Sequence, residues 1–71
     1  MATVYSNNIT DLTRKALRNA GYEEDSNELI SAEILKVGQS SHHLVVLAHF
    51  TEGNARLYLE LDINNNWIAE Y

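Results

Sequence analysis

Two apolar, alternating segments, His43 to Phe50 and Arg56 to Asp62, separated by Thr51-Glu52-Gly53-Asn54, constrain this chain more than any other stretch. Alternation at period two around a short break containing glycine is the signature of a β-hairpin. A slip of one residue would turn every side chain to the opposite face, so face matching selects the pairing. Leu44, Val46, Ala48 and Phe50 share a face of the first strand, and Leu57, Leu59 and Leu61 share a face of the second. Glu52-Gly53 as the central turn residues brings these sets together and predicts Leu44 beside Leu61, Val46 beside Leu59 and Ala48 beside Leu57. The other face then carries His43, Val45, Leu47 and His49 opposite Asp62, Glu60, Tyr58 and Arg56, which is a mixed surface.

Upstream, the period changes. From Asn8, the residues Ile9, Leu12, Thr13, Ala16, Leu17 and Ala20 fall in one arc at about 100° per residue, with Asp11, Arg14, Lys15 and Arg18 opposite. This is an amphipathic helix with Asn8 as its N-cap and Asp11 near its positive end. Gly21 supplies the left-handed C′ residue of a Schellman ending, with Tyr22 at C″ and Leu17 at C3. Residues 1–7 carry no assignable pattern.

Tyr22 to Glu28 holds Glu23, Glu24, Asp25 and Glu28 without a cation and is expected to be a solvated linker, since calcium-loop spacing is missing. Leu29 to Val37 is expected to be a strand joined to the hairpin through Gly38 to Ser41, with Ile30, Ala32 and Ile34 inward and Glu33, Leu35 and Val37 outward. A helix capped by Ser26 competes for the same residues. A last strand, Trp67 to Tyr71, comes after Asn64-Asn65-Asn66. A three-residue loop with Asn66 left-handed keeps Glu70 out of the core and turns Trp67, Ala69 and Tyr71 inward with Ile63, Leu61 and Leu59. The expected architecture is therefore α+β: one N-terminal helix packed on a four-stranded antiparallel β-meander, in two layers, as a single domain over residues 1–71.

At 71 residues with no cysteine, a single core is marginally sufficient, and no disulfide or thiolate metal site supports it. Self-association is one way to bury more surface. A net charge of −5 and five Lys and Arg in all argue against nucleic-acid binding. No apolar run approaches the ~18 residues of a membrane span and the opening has no signal-peptide core, so a cytoplasmic protein without a membrane partner is expected.

The chemical motifs are weak. His43 and His49 share a face but stand six residues apart, roughly 20 Å at about 3.4 Å per residue, so no metal site is expected from one chain. His43 near Asp62 and Glu60 has the residue types of an acid/base pair, yet no nucleophile or oxyanion donors accompany it, and a cross-strand surface pair explains it better. Arg14, Lys15 and Arg18 read as the solvated face of the helix. Asn8-Ile9-Thr10 matches a glycosylation sequon without a secretion signal. No enzymatic activity and no cofactor is implied.

There remains the second face of the sheet. Leu35, Val37, Val45, Leu47, Tyr58 and Ile68 are expected to form an apolar area rimmed by Glu33, His43, His49, Arg56, Glu60 and Glu70. One helix covers only one face, and an uncovered apolar patch on a small protein marks an interface. The sequence thus points to a non-enzymatic interaction module binding a protein partner or itself. The alternative is a small acidic inhibitor, of the kind a phage or mobile element encodes, that blocks a basic site through Glu23, Glu24, Asp25 and Glu28.

Overall fold

The computed structural model describes the backbone of residues 3–40 and 42–71 and the side chains of residues 8–40 and 42–71. Its elements are α1 (Thr3–Asn19), α2 (Glu23–Glu28), β1 (Leu29–Val37), β2 (His43–Phe50), β3 (Gly53–Leu61) and β4 (Trp67–Glu70). The sheet is antiparallel in the order β1-β2-β3-β4, and α1 packs across one face against both edge strands. This is the two-layer α+β meander that the alternation required. Ile9, Ala16 and Leu17 of α1 meet a sheet face built from Leu44, Val46, Leu57, Leu59 and Ala69, all buried. Of the turn expected over Gly38 to Ser41, Ser41 lies outside the described residues.

α1 begins earlier than the sequence suggested, but Asn8 breaks it at φ −126° and ψ 21°, so the amphipathic stretch from Ile9 starts afresh. Its exit is a Schellman ending: Tyr22 N–H donates to the Leu17 carbonyl at 2.8 Å, Gly21 N–H to that of Arg18 at 3.1 Å, and Gly21 sits at φ 92°. Two side chains tie the helix to the sheet's edges. Thr10 Oγ1 accepts the Ala32 N–H of β1 at 3.1 Å, and Asn19 Nδ2 donates to the Trp67 carbonyl of β4 at 3.0 Å. Edge strands expose unpaired backbone groups, and here the helix satisfies some of them.

The expected acidic linker is instead a helix, α2, with Glu23, Glu24 and Asp25 in its first turn, where carboxylates offset the positive end of the helix dipole. Ser26 holds it in place. Its fully buried hydroxyl donates to the Arg14 carbonyl at 3.0 Å and lies 3.5 Å from Arg18 Nη2. Arg14 pairs with Asp11 at 3.0 Å and also donates Nη2 to the Leu29 carbonyl at 3.1 Å. The basic stripe is therefore only partly solvated: Arg14 and Arg18 brace α2, while Lys15 remains exposed.

The hairpin register differs from the expected one by two residues. Leu44 pairs with Leu59, Val46 with Leu57 and Ala48 with Ala55, because Thr51 and Glu52 are the central turn residues and Phe50 pairs with Gly53. Gly53 at φ 153° carries the ladder to the turn in a conformation that suits glycine. The last hairpin shifts the same way, pairing Leu61 with Trp67 and Leu59 with Ala69. Its three-residue loop is set by Asp62, whose Oδ1 accepts the N–H groups of Asn64 and Asn66 at 2.8 and 2.9 Å. The left-handed residue is consequently Asn65 (φ 66°), not Asn66. Ile63 sits at the loop, 95% exposed, rather than in the core.

β1 departs from strict alternation. Register shifts between Leu29 and Ser31 and between Ile34 and Lys36 each add a residue, which reverses the facing of the residues beyond it. Leu29 and Ala32 are buried while Ile30 is 61% exposed, contrary to the expected inward position. Beyond the second bulge Lys36 pairs with Val45 on the open face, and Val37 pairs with Leu44 on the helix side.

Candidate interaction face

The face of the sheet away from α1 is organised in cross-strand rows. Its central row runs Lys36, Val45, Tyr58, Glu70 from β1 to β4. On one side lie the rows Glu33, Leu47, Arg56 and Ser31, His49, Asn54, and on the other the row His43, Glu60, Ile68. Val45, Leu47 and Ile68 are half-buried although no element covers them, because neighbouring side chains on the same face shield them, and Tyr58 is 47% exposed. Leu35, Lys36, Val45, Arg56 and Tyr58 line a shallow depression of about 350 Å³.

Five of the six expected apolar residues, Leu35, Val45, Leu47, Tyr58 and Ile68, are placed on this surface or at its β1 margin. Val37 is not: the bulge turns it to the helix side, where its exposure reflects a position beyond the reach of α1. The apolar area is also more interrupted than expected, since Lys36 and Arg56 flank Val45 and Leu47, and Glu60 separates Ile68 from Val45. Strict period two aims Lys36 at the core beside Ile34, which is why alternation alone leaves it off this face. A lysine directed into an apolar layer is itself a sign that alternation breaks nearby.

Both histidines on this face are engaged by a carboxylate and a second polar group. His43 Nε2 lies 3.5 Å from Glu60 Oε2, and its Nδ1 lies 3.4 Å from Ser40 Oγ. His49 Nε2 lies 3.3 Å from Glu33 Oε2, and its Nδ1 lies 3.0 Å from Asn54 Oδ1. Asp62, expected beside His43, is occupied by its loop. The His43 and Glu60 side chains are both mostly exposed, so their contact orients the imidazole without enclosing it. Among the described residues no group of three or more histidines and carboxylates is arranged to hold a metal ion, and no helix is long and apolar enough to cross a membrane.

The acidic residues collect elsewhere. Glu23, Glu24 and Asp25 border a second shallow cleft of about 290 Å³ with Gly21 and Tyr22. Asp25 accepts the Tyr71 hydroxyl, and the Tyr71 ring meets Tyr22 edge-on at 5.2 Å between centroids. Burial, then the hydrogen bond to Asp25 and the Asp25 charge, push the Tyr71 phenol above its ordinary pKa. Glu23, Glu24 and Glu28 project from α2 into solvent. Comparison of the chain with family models, curated proteins and solved structures finds no match.

Proposed function

We propose that this chain is a non-enzymatic interaction module that buries the open face of its sheet against another protein surface. The observation that carries this reading is the asymmetry of the two layers. α1 covers one face, and the other presents Val45, Leu47, Ile68, Leu35 and Tyr58 around a shallow depression. Apolar and aromatic residues at the centre of a surface with charges around them are the composition of a protein interface. Leu47→Glu tests it, because it places a charge at the centre of the face and leaves the core beneath α1 untouched. A folded Leu47→Glu variant should lose the association of the parent, whether with itself or with a protein captured from the native source. Retention of every association by that variant would refute the reading.

The acidic α2 supports a second reading, a blocker of a basic site. Buried Ser26 and the Tyr71–Asp25 hydrogen bond hold this helix in place while Glu23, Glu24 and Glu28 point outward. Ionic strength separates the two, since binding through exposed carboxylates collapses between low and moderate salt and binding through an apolar face does not.

A further inference from the structure

We infer that the open face is covered by a second copy of this chain, related by a two-fold axis that lies in the interface, parallel to the strands and between β2 and β3. This rests on the reading of that face as an interface and adds its occupant and geometry. The order of residues in the central row carries this geometry. Lys36, Val45, Tyr58 and Glu70 succeed one another across the four strands as cation, aliphatic, aromatic and anion. A two-fold axis in that position exchanges β1 with β4 and β2 with β3 at the same level, so the row meets its own reversal. Lys36 then faces Glu70 of the partner subunit, and Val45 faces Tyr58 of the partner subunit. The shape agrees with the charge: Tyr58 is half-exposed, and the depression that Leu35, Lys36 and Val45 line together with Arg56 and Tyr58 itself lies beside the Val45 that the partner's ring meets.

In the adjacent rows the inner pairs obey the same exchange, while Glu33 and Ile68, at the ends of rows that the opposite edge strand does not complete, stay at the rim. Leu47 meets the aliphatic stem of Arg56 of the partner subunit, and His43 meets Glu60 of the partner subunit, within reach of the Glu60 it already contacts at 3.5 Å. Packed sheets cross at about −30°, so the axis bisects the two strand directions, and the offset this gives at the ends of the row falls within the reach of the flexible Lys36 and Glu70 side chains. The acidic residues of α2 do not oppose this, because α2 packs against α1, which occupies the other face of the sheet. An axis running across the strands instead would set Lys36 on Glu33 of the partner subunit, Val45 on Leu47 of the partner subunit and Tyr58 on Arg56 of the partner subunit, but would leave unmatched Glu70 and with it the row to which all four strands contribute. Four strands about 4.8 Å apart make a face about 19 Å wide, enough for the row of four residues to meet its reversal.

The test is a charge exchange read by sedimentation across micromolar to millimolar concentration. Lys36 and Glu70 are exposed strand residues, so Lys36→Glu and Glu70→Lys leave the fold intact, which circular dichroism verifies. The parent should be a dimer, and each single variant should associate roughly tenfold more weakly, because like charges then oppose each other at both ends of the row. An equimolar mixture of the two variants should recover the parent's affinity as a heterodimer, since each new charge meets its opposite. A parent that stays monomeric to millimolar concentration overturns the second copy as occupant; the interface reading itself is decided separately by Leu47→Glu against a foreign partner. A dimeric parent whose variants show no recovery on mixing overturns the placement of the axis.

Discussion

Thr10 Oγ1 accepts the backbone N–H of Ala32 at 3.1 Å, so a helix side chain satisfies a donor on the outer edge of the sheet. That single contact joins the amphipathic period of α1 to the pairing of β1. Thr10→Val keeps the shape but removes the acceptor, and the loss should cost about 1–2 kcal/mol, the usual consequence of leaving a part-buried donor unpaired. Urea denaturation measures the loss, and hydrogen exchange should show the Ala32 amide opening faster than its neighbours. Unchanged Ala32 protection would show that another group takes over the bond.

Thr13 tests the opposite case. Its side chain is fully buried in α1, and its hydroxyl has no hydrogen-bond partner among the described residues. Thr13→Val fills the same space without the unpaired group and should raise stability by up to about 1–2 kcal/mol. Thr13→Ala, which leaves a void instead, should lower it. A destabilised valine variant would reveal a partner for the hydroxyl, such as a bound water.

Leu59 pairs with Leu44 on one side and Ala69 on the other, beneath α1. Leu59→Ala should destabilise by about 2–5 kcal/mol, the range for truncating a buried leucine. In a domain this small that is a large share of the total stability. An unaltered thermal midpoint would contradict the packing of this face.

The Tyr71–Asp25 contact predicts a response to alkaline pH. The folded state raises the Tyr71 pKa, so its contribution is fully present below the unfolded value, about 10, and is lost as pH rises through the higher folded value. The difference in urea midpoint between the parent and Tyr71→Phe should therefore shrink above that pH. In a spectrophotometric titration the phenylalanine variant should lack a phenol that ionises above the ordinary tyrosine range. A constant difference from neutral to strongly alkaline pH would exclude the coupling.

The sequence by itself determined which residues face the core in β2, β3 and β4, and where α1 ends. Both come from short-range rules: parity along a strand, and the left-handed conformation that Gly21 alone supplies cheaply after Leu17 and Arg18. It did not determine the register of either hairpin, because sliding a strand by two residues preserves parity and keeps the same residues on each face, changing only the surroundings of those at the strand ends such as Ile63. The tertiary structure made that choice through the Thr51-Glu52 turn and the two N–H groups held by Asp62. Parity itself failed in β1, where the bulge between Ile34 and Lys36 adds a residue and so sends Val37 to the helix side and Lys36 to the open face. The order of α2 was also hidden, since a run of carboxylates looks solvated until Arg14 and Ser26, twelve residues apart in the chain, are brought together. The open face was thus legible as a surface, but its central row exists only because a bulge, a turn and a side-chain-capped loop align Lys36, Val45, Tyr58 and Glu70 across four strands.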